Sequence, residues 1–234
     1  MHRRAALLIV LALAMGAPFA PAAGDTVFAA GVTGEPGFAQ FPLWDLLMQK
    51  VRKNGDDRPL PIGPASAQPL ALRAGDAPLP DGCDTACARR HWIAFLQSLR
   101  AKPKLVQLEA VNNWANARPY VEDWMNWGVA DYWEIPAEFM QHGGDCEDFA
   151  IAKYLSLVRL GFPPSDLRIV VVEDRNLKAS HAIVAVRLDG RVWLLDIAVA
   201  QIVPLEVARQ YRPVYAFNAQ DWWLYPPVRE TASQ

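Results

Sequence analysis

The 234-residue sequence is poor in cysteine, balanced in charge and free of internal repeats, and each shortage excludes something. Three cysteines are too few for a disulfide-dense scaffold. With 23 Lys and Arg against 25 Asp and Glu, and no basic run, nothing matches a polyanion. Nucleic acid and anionic membrane surfaces are therefore not expected partners. Without a repeat, a solenoid or propeller is not expected. Long apolar runs are also missing: from Ala5 to about Ala17 is the longest, short of the roughly 20 residues that span a bilayer.

That run follows Arg3 and Arg4 and precedes small residues, the pattern of a secretory signal peptide over residues 1–23, cut after Ala22 or Gly24. Residues 24–234 then form one domain in an oxidising compartment. At 52% hydrophobic and 21% charged, this is the composition of a folded chain.

Apolar spacing predicts helices over 41–53, 89–101 and 104–117, the last two separated near Pro103. Residues 56–82 are rich in proline and glycine and are expected to form a loop or insertion. The segment 118–144 concentrates Tyr120, Trp124, Trp127, Tyr132 and Trp133, expected to pack as core beside a site rather than to form a sugar-stacking platform. A helix begins at Asp145 and stops at Gly161, ahead of Pro163 and Pro164. A buried strand follows over 167–174. The tail adds a short helix and a strand near 214–217.

Cys83 and Cys87 can bridge if their segment is a loop, whereas on a regular helix that spacing suits a disulfide poorly. With His91 they also offer a weak metal spacing. Their pairing leaves Cys146, which is either a nucleophile or a small buried hydrophobe. Asp189-Gly190 between two β-rich runs signals a two-residue hairpin turn. Leu188 then pairs with Arg191, and the count carried outward sets Ile183 opposite Asp196. Side chains alternate faces, so His181 becomes the diagonal neighbour of Asp196, within reach of a hydrogen bond. A cysteine at a helix start, a histidine and an orienting carboxylate form the set that thiol hydrolases use.

Cys146 is flanked by Asp145, Glu147 and Asp148, which hold a proton on sulfur. The acids either cap the helix or bind a hard cation through oxygen.

The stretches VNNWAN (111–116), DWMNWGVADYWEIPAEF (123–139), GGDCEDFAIAKYLSLVRLG (143–161), LRIVVVED (167–174), His181, Asp196 and PVYAFN (213–218) carry a family likeness. On them the chain resembles the bacterial transglutaminase-like cysteine peptidases, and within these the LapG-type periplasmic adhesin proteases. The resemblance implies a papain-like, transglutaminase-like α+β fold, with N-terminal helices packed on an antiparallel sheet. It implies a Cys146, His181, Asp196 triad and a Ca2+ site on Asp145, Glu147 and Asp148. It implies a large surface adhesin as substrate, control of biofilm release, and an inner-membrane cyclic di-GMP receptor as a sequestering partner. Two positions depart from the family pattern: Ala182 follows the histidine, and Ile197 follows Asp196. Peptidoglycan amidase chemistry, amide transfer by the same triad, and an inert receptor-binding module are the rival expectations.

Overall fold

A computed structural model describes residues 26–29, 38–61 and 79–225. The expected signal peptide and the middle of the 56–82 segment lie outside the described residues. The helices are α1 (Thr26–Ala29), α2 (Pro42–Asn54), α3 (Thr85–Leu99), α4 (Lys104–Asn116), α5 (Asp123–Asn126), α6 (Pro136–His142) and α7 (Cys146–Arg159). The strands are β1 (Leu167–Asp174), β2 (Ala179–Leu188), β3 (Arg191–Leu195), β4 (Val203–Pro204), β5 (Tyr211–Phe217) and β6 (Trp222–Leu224). They form one antiparallel sheet in the order β4-β3-β2-β1-β5-β6, so the fold is α+β.

The helix that carries Cys146 runs through the centre of the molecule. From Asp148 to Arg159 every residue of α7 is buried. One side meets α3, where the Trp92 indole N–H donates to Ser156 Oγ at 2.8 Å. Another meets β1 and β2 through a core that includes Ile151, Leu155, Ile169, Val184 and Leu195. The helix ends where Gly161 adopts a φ of 80° and the N–H groups of Gly161 and Phe162 return to the carbonyls of Val158 and Leu157.

A second apolar cluster lies on the opposite sheet face, with Val170, Val172, Ile183, Ala185, Val192 and Leu194, and Val27 of α1 packs onto it. Arg168 holds α1 there by donating to the carbonyls of Val27 and Phe28.

The hairpin has the expected register, from Leu188 opposite Arg191 to Val184 opposite Leu195. Asp189 and Gly190 both have positive φ, as the two central residues of such a turn require.

Three expectations change. The short helix in the tail is a single 3₁₀ turn, Leu205–Val207, and strands β4 and β6 are additional. In the aromatic segment Tyr120 and Trp124 are 52% and 66% exposed, not core. The reason is local: α5 is one turn long and Asp123 takes its buried side, which turns Trp124 and Met125 outward. The pair Cys83 and Cys87 does bridge, with Cα atoms 5.3 Å apart. Cys83 precedes the α3 N-cap Asp84, so only one partner is helical and the regular-helix geometry does not apply. Two of the three donors of the weak metal spacing with His91 are thereby used.

Candidate active site

Cys146 opens α7, and the two glycines before it make its turn. Gly143 has a φ of 74°, and a Cβ there would lie 2.8 Å from Pro119 Cγ, so only glycine fits. The Gly144 carbonyl accepts from Val121 N–H at 2.9 Å, which ties the turn to the 119–121 segment. Behind it, Asp148 braces the helix start: its Oδ1 accepts from Glu134 N–H at 2.8 Å and its Oδ2 from Asp145 N–H at 3.2 Å.

β3 pairs with β2 only from Val184 onward, so β2 residues 179–183 face no strand on that side. Ala182, in this gap, belongs to the same core cluster as Cys146, and its backbone partly opposes the rise in the thiol pKa. The neighbouring His181 Nε2 lies 2.7 Å from Asp196 Oδ1, which leaves its Nδ1 available to a thiol. The histidine and aspartate are placed by hairpin register, and the cysteine comes to the same strand from the helix. The structure thus joins His181 to Asp196 and sets Cys146 in one core cluster with Ala182, the residue after His181.

Asp196 is 1% exposed and heavily tethered. Ala198 N–H donates to its Oδ1 at 2.9 Å, the Tyr211 hydroxyl donates to its Oδ2, and Asn116 Nδ2 donates to its backbone carbonyl at 2.8 Å. Burial alone would raise its pKa, but the bonds from His181, Tyr211 and Ala198 outweigh burial and hold it below the usual carboxylate range. Beneath it, the buried Lys153 is lowered to about 7 by desolvation, partly opposed by the Asp196 charge. Asn116 ends the VNNWAN stretch but has no role assigned from it, and no motif marks a tyrosine two strands beyond the histidine.

The thiol is not free of its acidic neighbours. Cys146 Sγ donates to Glu147 Oε2 at 2.9 Å. Burial first, and then the Glu147 charge and hydrogen bond, push the Cys146 pKa well up. The acids extend further than the sequence indicated. Carboxylate oxygens of Asp123, Asp131 and Glu147 lie within 4.8 Å of one another, as do those of Asp123, Asp145 and Asp148. Asp123 and Asp131 thus join Asp145 and Glu147, whereas both oxygens of Asp148 are already held by backbone N–H groups.

This cluster fits a hard cation on structural grounds. Asp123 Oδ1 and Asp145 Oδ1 are buried without a hydrogen-bond donor, and every donor atom is an oxygen. Burial and then the Glu147 charge raise the Asp145 and Asp131 pKa values. Burial likewise takes Glu134, beneath the cluster, to about 8. So many carboxyls pressed together favour either protons or a dication.

A family model for bacterial transglutaminase-like cysteine proteinases matches residues 82–225, more than half of the chain and all of the site. Among solved structures, Legionella pneumophila LapG is 36% identical with a TM-score of 0.54, covering 60% of this chain and 78% of that one. Its EGTA-treated form gives the same identity and score over 61% and 78% of the two chains. Its calcium-bound form does so over 60% and 80%. No curated protein sequence matches the chain.

Proposed function

The chain belongs to the bacterial transglutaminase-like cysteine proteinases, and on that premise we propose that it is an exported, calcium-dependent endopeptidase that trims the N-terminal region of a large surface adhesin. In this reading Cys146 is the nucleophile, His181 the base and acid, and Asp196 the orienter. The observation that carries it is the His181–Asp196 hydrogen bond at the unpaired start of β2, one residue from Ala182, which shares a core cluster with Cys146.

The residues divide the work as follows. Asp196 accepts the Nε2 proton of His181 and so fixes the tautomer in which Nδ1 can take the thiol proton. The Ala182 N–H stabilises negative charge on sulfur as the proton leaves. The thiolate attacks the peptide carbonyl, and the N–H of Cys146 at the helix start is placed to receive the developing oxyanion. His181 returns its proton to the leaving amine, and water then releases the acyl group with His181 again as base. Calcium, when bound, would be held by Asp123, Asp131, Asp145 and Glu147 and would supply the positive charge that offsets these acids beside the thiol. A calcium-bound and an EGTA-treated form of the similar Legionella protein support this assignment.

Purified protein with calcium should cut an adhesin fragment from the same cell, and Cys146→Ala should stop the cut without changing thermal unfolding. Undiminished cleavage by Cys146→Ala would sink the proposal. Release of peptidoglycan stem peptides, or incorporation of an amine donor in place of hydrolysis, would redirect it to one of the rival chemistries.

A further inference from the structure

The mechanism above leaves Tyr211 idle, although its hydroxyl touches the acid of the triad. The two oxygens of Asp196 are divided. Oδ1 serves His181 and the Ala198 N–H, and Oδ2 receives the Tyr211 hydroxyl. With Oδ1 alone engaged, the carboxylate keeps rotation about its terminal torsion, which is a soft one. Fastening the second oxygen fixes the plane in which Oδ1 meets the imidazole.

Tyr211 is not where plain strand alternation would put it. On β5, Tyr215 and Phe217 pack into the helix-side core, and a period of two would send Pro213 and Tyr211 to that side as well. The pairing with β1 slips instead: Val171 lies opposite Tyr215 and Val172 opposite Pro213, which leaves Val214 as an extra residue. Such a bulge turns the residues beyond it over. Pro213 and Tyr211 accordingly line a cavity of about 390 Å3 on the other face, with Val170, Val172 and Ile183. From there the Tyr211 ring lies 6.0 Å from the His181 ring and its hydroxyl reaches Asp196. The bulge at Val214 is thus what carries a phenol from β5 to a carboxylate at the end of β3, past two intervening strands.

We propose that Tyr211 is a positioning residue of the triad, delivered by the Val214 bulge to lock the Asp196 carboxylate against His181; this rests on the cysteine-peptidase reading of the site. Its plainer role would be to wall the cavity with its ring, and Tyr211→Phe separates the two because it keeps the ring and removes only the hydroxyl.

The test uses the calcium-loaded protein and the rate at which iodoacetamide alkylates Cys146 at one pH, together with the proton NMR signal of the His181 Nε2–H. Tyr211→Phe should slow alkylation about tenfold, the loss expected for one hydrogen bond to a charged group. It should also move the Nε2–H signal upfield and speed its exchange with water, in a variant that stays folded with Tm lowered by about 5 °C. In an Asp196→Ala background the same substitution should change nothing further, since the oxygen it acts on is gone. A wild-type rate with an unmoved signal overturns the proposal, as does an equal loss in both backgrounds. A His181 Nε2–H signal that already exchanges fast in the unsubstituted protein overturns it without any variant. Continued proteolysis by Cys146→Ala would instead count against the active-site assignment itself, so the two failures are distinguishable.

Discussion

Gly144→Ala is a direct test of how Cys146 is aimed. Gly144 does not have a left-handed φ, so its backbone would accept alanine; the obstacle is contact. The new Cβ would lie 2.6 Å from Asp148 Cβ and 2.8 Å from Asp148 Cγ, inside the 3.0 Å that real Cβ atoms keep. Asp148 cannot yield cheaply, because its two oxygens hold the N–H groups of Glu134 and Asp145 at 2.8 and 3.2 Å. Overpacking of this kind costs about 1–3 kcal/mol, and weakening one hydrogen bond to a charged acceptor adds about 1.5–3 kcal/mol. A loss of roughly 3–5 kcal/mol corresponds to a fall in Tm on the order of 10 °C for a domain of this size. A displacement near 1 Å at the helix start should cut the reaction rate about 100-fold. Gly128→Ala is the control: its φ is 69° but no atom lies within 4 Å, so it should cost only about 1 kcal/mol of backbone strain. Calorimetry and iodoacetamide labelling of Cys146 read both effects. If Gly144→Ala unfolds and labels like the wild type, the brace between Gly144 and Asp148 does not position the thiol.

Two further outcomes follow from the acid cluster and the disulfide. Carboxyl groups whose folded pKa is raised contribute stability that is present below the unfolded value, roughly 4, and is lost as pH rises through the folded value, about 8 for Glu134. The EGTA-treated protein should therefore lose stability between pH 5 and 6.5, about 2 kcal/mol from Glu134 alone, a range below the titration of Lys153 at about 7. Calcium should flatten that slope in the acid cluster around it, and a Tm that rises over this range after EGTA treatment would refute the argument. The bridge between Cys83 and Cys87 closes a very short loop, worth about 2 kcal/mol in chain entropy. A Cys83→Ser, Cys87→Ser pair should lower Tm by about 5 °C and leave Cys146 alkylation in place; an unchanged Tm would show that the bridge adds nothing.

Much of the site could be read in the chain because it depends on local rules. Asp189-Gly190 sets a turn, the turn sets a register, and the register brings His181 to Asp196 whatever the rest of the protein does. The helix start at Cys146 and its stop at Gly161 are equally local. What stayed hidden depends on contacts between distant segments. Asp123 and Asp131 join the acids only because the 119–121 segment is pinned beside Gly144. Tyr211 reaches Asp196 only through a register slip between β1 and β5, and no residue type announces such a slip. Trp124 is exposed where aromatic density predicts core, because density says nothing about which side of a one-turn helix is already occupied.

The burial of α7 bears on how this protein fails. Its amides from Asp148 to Arg159 have no route to solvent short of dismantling the core on both sides. Hydrogen exchange along that helix should proceed only through global unfolding, while the acid-rich segment around α5, largely exposed, can open and close on its own. Cys146 and Glu147 thus ride on the slowest-exchanging unit, and Asp123 and Asp131 on a faster one. If a cation is held there, its loss at the loop and the loss of the fold become separate events, because Asp123 and Asp131 can swing away while the helix stays whole.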